Sequence, residues 1–119
     1  MKRDMDLVRE ILLECEKQDG TGRPIKVKVE GLSGDEVNYH LVLLKEVGFI
    51  EASSVLNTRF GPIVQPIRLT WSGHEFLNAA RSSKLWDGAK EFALKTTGTL
   101  TLEGLKLAIP HVTKLLMGG

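Results

Sequence analysis

Residue types that often do chemistry are present in this sequence of 119 residues, but their spacing assembles no recognisable reactive group. The three histidines, His40, His74 and His111, are far apart, and no cysteine joins them at the ligand spacing of a zinc site. His74 is followed by Glu75, but a metalloprotease helix needs a second histidine after that glutamate. We therefore expect no metal and no cofactor.

Nucleophiles and phosphate-binding loops are not indicated either. Ser72-Gly73 lacks the preceding glycine of a nucleophile elbow. Gly20-Thr21-Gly22 lacks the strand before it and the lysine after it that a phosphate-binding loop requires. The single cysteine, Cys15, lies on an apolar helix face, which is typical of a small buried hydrophobe rather than a reactive thiol. No pair of carboxylates stands out as a catalytic couple, so the sequence does not predict an enzyme.

The composition is that of a single globular domain. Hydrophobic residues make up 42% and charged residues 26% of the chain, and 16 basic against 15 acidic residues leave a net charge of +1. A strongly basic nucleic-acid binder would be far more positive. One cysteine cannot form an internal disulfide, no secretion signal follows Met1, and no apolar run could span a membrane. These features predict a cytoplasmic protein with no membrane partner.

Apolar residues at helical spacing predict five helices. Asp4 and Thr70 are candidate N-caps, Gly48 and Gly98 are candidate helix ends, and Pro110 should bend the last helix. The predicted helices are Asp4–Lys17, Asp35–Val47, Thr70–Arg81, Lys84–Lys95 and Leu102–Met117.

Three strands are predicted between and after the first two helices. Ile25, Val27 and Val29 alternate with charged residues, which indicates a short half-buried strand. Phe49–Leu56 and Ile63–Leu69 should form a hairpin, in which Pro66 requires an edge or an interruption. The order α-β-α-β-β-α-α-α predicts an α+β fold.

Two segments resemble winged-helix transcription regulators. YHLVLLKEVGFI at residues 39–50 resembles the end of the recognition helix in the multidrug-resistance and arsenic-responsive repressor types. RLTWSGHEFL at residues 68–77 is similar to the segment that leaves the wing in those folds. The resemblance implies a winged-helix core at residues 1–81, to which residues 82–119 add a helical extension within the same domain.

A narrower resemblance includes the opening MKRDMDLVREIL. Together with the two segments above, it is similar to a bacterial and prophage family of domains of unknown function with a predicted winged-helix core. One departure concerns the scaffold helix that normally precedes the recognition helix. Residues 30–34 include two glycines and are too few to form it, so that helix is truncated or missing.

The resemblance implies a bacterial or phage regulator that binds double-stranded DNA without chemistry. Asn38 could pair with adenine, Lys45 could meet phosphate, and Arg59 at the wing tip could probe the minor groove or a phosphate. Lys26 and Lys28 could widen a basic patch, although alternate lysines also protect a sheet edge. The candidate DNA-binding residues are Asn38, Tyr39, Lys45, Arg59, Arg68, Lys26 and Lys28.

An alternative reading is a protein-binding module, such as a phage-borne inhibitor of a host defence or regulatory protein. Asp35, Glu36 and Glu46 place three carboxylates on the proposed reading helix, which opposes a polyanion. Trp71 and Trp86 could stack on bases, but their apolar neighbours favour core packing. The two alternatives differ in whether the basic residues converge on one side.

The last helix suggests a homodimer. Apolar residues lie on more than one of its faces, whereas a helix that only covers a core has one apolar stripe. A twofold contact would set the spacing of two wings for a palindromic DNA site, although the helix could instead simply cover the core. The candidate interface residues are Leu105, Ile109, Val112 and Leu116.

Overall fold

The protein forms five helices and one antiparallel hairpin. The computed structural model describes residues 1–59 and 61–117, with the backbone alone at 55–57. The elements are α1 (Met5–Gln18), α2 (Gly34–Val47), β1 (Ile50–Thr58), β2 (Gly61–Leu69), α3 (Trp71–Ala80), α4 (Ser83–Thr97) and α5 (Leu102–Leu116). The predicted α+β class is confirmed. None of these helices, within the residues described, is long and apolar enough to cross a membrane.

The chain divides into two compact units. The first spans Met1–Glu75, and the second begins at Phe76, within α3. The first unit contains α1, α2 and the hairpin, and α1 packs against both α2 and β2. The second unit is built on the packing of α4 against α5.

Local capping explains where α1 and α2 begin and where α2 ends. The Asp4 carboxylate accepts the backbone N–H groups of Asp6 (2.9 Å) and Leu7 (3.3 Å), which caps α1. Ser33 caps α2 by accepting the N–H of Glu36 at 3.2 Å. Gly48 ends α2 in the left-handed region, with φ of 81°, and its N–H donates to the last carbonyls of the helix.

The core of the first unit contains the residues that helical spacing predicts. Ile11, Leu12 and Cys15 of α1 are fully buried. Leu41 and Leu44 of α2 are 5% and 2% exposed, and α2 contacts α1 and both strands. The predicted inner faces of the first two helices are therefore confirmed.

The hairpin is present where the sequence predicts it. Ile50 pairs with Leu69 at its base and Thr58 with Gly61 at its far end, so both strands run closer to the turn than predicted. Ala52 faces Pro66 at a bulge that leaves Ile67 without a directly opposite residue. Because Pro66 has no N–H to donate, the interruption falls where the ladder would lose a bond.

The predicted strand at residues 25–29 is wrong. Ile25 is buried, but this segment has no regular secondary structure. Gln18 bonds both backbone groups of Lys26, at 2.9 and 2.7 Å, and Gln65 donates to the Ile25 carbonyl at 2.7 Å. Side-chain amides thus occupy backbone groups that a strand ladder would use. The segment bonds the β2 backbone from Ile25 N–H to the Pro66 carbonyl, and the Val29 carbonyl accepts the nearby Leu32 N–H.

In the second unit, α4 and α5 form a helical pair. Ser82 and Thr101 cap the two helices, and Gly98 ends α4 with φ of 79°. Gly88 permits close packing, since a Cβ there would lie 2.8 Å from a methyl carbon of Val112. Trp86 is buried with Phe76 edge-on to its ring, which confirms core packing for this tryptophan.

The predicted core packing of Trp71 is wrong. Trp71 is the first residue of α3, and 80% of it is exposed. The inward face of α3 is instead formed by Phe76, Leu77 and Ala80, as the helical spacing predicts. At the first position of a helix, apolar sequence neighbours do not determine the direction of the side chain.

Cys15 should not react in the folded protein. Burial, with smaller contributions from the charges of Asp19 and Glu14, raises the pKa of Cys15 to about 12. At pH 8 we expect alkylation by iodoacetamide to be about a thousandfold slower than for a free thiol, because the thiolate is the reactive form. Mass spectrometry of labelled protein measures this rate, with the protein in urea as the reactive control. Rapid labelling without urea would contradict the burial of this side chain.

Candidate functional site

A groove of about 810 Å³ lies between the outer side of α2 and the far end of the hairpin. Its apolar wall is formed by Met1, Tyr39, Val42, Pro62 and Ile63. Asp35, at the start of α2, and Arg59, at the hairpin turn, add one charge of each sign. Of the seven predicted DNA-binding residues, the groove brings together three, which are Asn38, Tyr39 and Arg59.

Asn38 uses its amide within the protein. Its Oδ1 accepts the N–H of Val64 at 2.9 Å, and its Nδ2 donates to the Pro62 carbonyl at 3.1 Å. These bonds fasten β2 to α2 and complete one side of the groove. The adenine-reading geometry expected of Asn38 would need the same two amide atoms.

Asn38→Ala is expected to destabilise the protein by about 1–3 kcal/mol, because the buried N–H of Val64 loses its acceptor. Asn78→Ala is the matched control. Asn78 is also helical but exposed, and its side chain accepts from Arg81, so its replacement should change stability by no more than about 0.5 kcal/mol. Urea unfolding followed by circular dichroism compares the two. Equal effects would show that the Asn38 bonds do not stabilise the fold.

His40 of α2 is a buried polar residue, with only 3% of its surface exposed. Its Nε2 accepts the backbone N–H of Asp4 at 2.9 Å. Its Nδ1 lies 2.8 Å from the Glu36 carbonyl and must therefore be the protonated nitrogen. His40 therefore joins α2 to the residue that caps α1, and both of its ring nitrogens are engaged within the protein.

Arg68 and Lys45 also have neighbours within the hairpin region. The Arg68 guanidinium forms a two-bond ion pair with Glu51, at 3.0 and 2.7 Å, and donates to the Leu69 carbonyl. Lys45 Nζ lies 3.5 Å from the Ser54 hydroxyl of β1. Arg68 is therefore neutralised across the two strands, while the ammonium of Lys45 lies over β1.

Lys28 lies in a different depression, of about 250 Å³, beside α1. Three carboxylates, those of Glu10, Glu14 and Glu30, line it together with Lys17 and Lys28. None of these residues lines the larger groove. Lys26 is exposed in the irregular segment that Gln18 fastens to α1.

The charge around the groove does not favour a polyanion. Residues 34–69, which form α2 and the hairpin, carry four carboxylates and three basic groups. On α2 itself, Asp35, Glu36 and Glu46 outnumber Lys45. In the described ranges 1–59 and 61–117, no three His, Cys, Asp or Glu side chains are grouped so as to hold a metal ion.

Three of the four residues predicted to form a dimer interface are buried. Leu105, Ile109 and Val112 are 0%, 6% and 7% exposed, on the face of α5 that packs in the core of the second unit. Leu116 is 48% exposed. A contact between copies through α5 would therefore need its opposite face.

Comparison with known proteins indicates a family. A family model described as "Hypothetical protein (DUF2513)" matches residues 2–99, which include every element from α1 to α4. A protein of Haemophilus influenzae, titled "Uncharacterized protein", is 33% identical over 107 residues, covering 89% of this chain and 90% of that protein. No solved structure matches the chain. The length of the family match shows that this chain belongs to the DUF2513 family.

Proposed function

We propose that this protein is a non-catalytic binding module, whose groove between α2 and the hairpin takes a short apolar and basic segment of another protein. The observation that carries this proposal is the apolar wall of the groove beside a helix with more acidic than basic groups. An apolar surface rimmed by polar or charged groups is typical of sites where proteins bind other molecules, including partner proteins. Nucleic-acid sites are instead strongly positive.

The chemistry of the occupant follows from the two parts of this surface. Tyr39, Val42 and Ile63 offer apolar contact to one or two anchoring side chains. Asp35 lies in the same wall, and Glu36 follows it in the first turn of α2. A lysine or arginine next to the apolar anchors of the partner would complement these carboxylates.

Selection from a library of random peptides displayed on phage tests this proposal. Selected peptides should combine apolar residues with lysine or arginine, and their affinity can be measured with fluorescent synthetic copies. Ile63→Arg should weaken binding about tenfold or more, since it fills the apolar wall and repels a basic segment.

Ile67→Arg is the matched control for this substitution. Ile67 is the same residue type on the same strand, is 49% exposed against 41% for Ile63, and does not line the groove. Its replacement should leave peptide affinity unchanged. Equal loss in both variants, or selection of acidic peptides, would contradict the proposal.

Duplex DNA is the second candidate, with residues 1–81 as a winged-helix core whose scaffold helix is truncated or missing. One observation favours it: α2 passes through Gly48 directly into a hairpin with Arg59 exposed at its turn. In that case the protein would act as a bacterial or phage transcription regulator. The absence of helix from residues 19–33, all of which the structure describes, agrees with a missing scaffold helix.

Ile63→Arg separates the two candidates by the sign of its effect. An added positive charge beside Arg59 should strengthen DNA binding, whereas it should weaken binding of a basic peptide. Gel-shift titration with pooled random duplexes at two salt concentrations measures the first effect. Each phosphate contact should contribute ~0.9 to the log–log salt slope. A salt-dependent shift that Ile63→Arg strengthens would favour the regulator.

A further inference from the structure

The outward face of α5 is apolar at its centre. The opposite side of this helix buries Leu105, Ala108, Ile109 and Val112. On the outward side, Leu107 is 77% exposed and Met117 80% exposed. Leu107, and Met117 at the end of the helix, therefore present apolar surface to solvent rather than to the core of the second unit.

The outward residues follow the spacing of a helix–helix seam. Glu103, Leu107, Pro110, Lys114 and Met117 are separated alternately by four and three positions, and all are exposed. Alternation of four and three residues places side chains in one line along a helix, where a second helix can pack. Leu107 and Pro110 are at the centre of this line, between Glu103 and Lys114.

The charges in this line are complementary to a second copy of the same line. If two α5 helices pack antiparallel about a twofold axis between Ala108 and Ile109, Glu103 lies opposite Lys114 of the partner subunit. Leu107 then lies opposite Pro110 of the partner subunit, and symmetry repeats both contacts. Neither Glu103 nor Lys114 has an ion-pair partner among the residues that the structure describes.

We propose that two copies of this protein associate through the outward faces of antiparallel α5 helices. Leu107 and Pro110 form the apolar centre of the interface. At each end, Glu103 of one copy forms an ion pair with Lys114 of the partner subunit. This face is opposite to the buried stripe of Leu105, Ile109 and Val112. The proposal is independent of the groove beside α2, because no groove residue takes part.

Charge reversal in the full chain, followed by sedimentation equilibrium, tests the interface. Glu103→Lys and Lys114→Glu should each raise the dimer dissociation constant about tenfold or more, because two ion pairs become repulsive in each dimer. The double variant should restore association. Lys84→Glu, an equivalent charge change at an exposed position of α4, should have no effect.

The double variant also excludes a simple effect on helix stability. It places a lysine in the first turn of α5 and a glutamate in the last, and both oppose the helix dipole. Recovery of the dimer in that variant can therefore come only from pairing between copies. A wild-type protein that stays monomeric at high concentration, single variants that still dimerise, or a double variant that does not recover would each overturn the proposal.

Discussion

Gly73→Ala should strongly destabilise the protein, although alanine is the better helix former. Gly73 lies in α3, where helix propensity alone predicts a gain of about 1 kcal/mol from alanine. A Cβ at this position, however, would lie within the contact distance of the Phe49 carbonyl oxygen and 3.0 Å from its carbon. The expected result is therefore a loss of stability, opposite in sign to the prediction from propensity.

The clash cannot be relieved cheaply, because Phe49 is fixed at the base of the hairpin. Its carbonyl accepts the Thr70 N–H at 3.0 Å, and its N–H donates to the Leu44 carbonyl at 3.0 Å. The Thr70 hydroxyl also donates to the Gly48 carbonyl. We expect a cost of about 4 kcal/mol or more, a large part of the stability of a domain of this size.

Gly34→Ala provides the matched control. Gly34 is the first residue of α2, has no positive φ, and a Cβ there would meet nothing within 4 Å. We expect a stabilisation of about 0.4–1 kcal/mol, through the lower entropy of the unfolded chain. Urea unfolding followed by circular dichroism measures both variants. A Gly73→Ala protein as stable as Gly34→Ala would show that α3 does not approach Phe49 as described.

Leu44→Ala is the second change with a large expected effect. Leu44 is 2% exposed, on the face of α2 directed into the core of the first unit. Its truncation removes buried apolar surface and leaves a cavity, so unfolding free energy should fall by about 2–5 kcal/mol. Calorimetry and urea unfolding both measure this quantity.

Two further variants check the origin of that loss. Leu44→Met conserves most of the volume and should cost less than about 1.5 kcal/mol. Leu94→Ala makes the same truncation on α4 at a side chain that is 47% exposed, and it should cost clearly less than Leu44→Ala. Similar losses at Leu44 and Leu94 would contradict the buried position of Leu44.

The helices could be predicted because their signals are local. Each signal lies within a few residues of the helix that it determines. The signals are the Asp4 cap, the left-handed Gly48, and the apolar spacing of Ile11, Leu12 and Leu44. The hairpin was predictable for the same reason, since its strands follow each other directly. These features required no knowledge of distant partners.

The features that local sequence signals do not reveal here involve partners that are distant in sequence. Residues 25–29 alternate like a strand, but Gln65, 40 positions after Ile25, takes the carbonyl that a ladder would need. Asn38 has the residue type of a base-reading side chain, yet β2 occupies its amide. On α5, the apolar composition indicated two faces, but only the structure shows which one is buried.

The long sequence separation between α1 and the hairpin strand that packs on it affects how the protein folds during synthesis on the ribosome. A hydrogen bond of the Asp19 carboxylate, just after α1, marks this separation. This carboxylate accepts the N–H of Leu69, 50 positions later. At ~5–20 residues per second, the ribosome needs roughly 3–10 s to add the intervening chain. During that time the apolar face of α1 has no completed hairpin to cover it and is accessible to chaperones. The α4–α5 pair, joined by residues 98–101, can instead form almost as soon as it emerges, since local contacts close quickly.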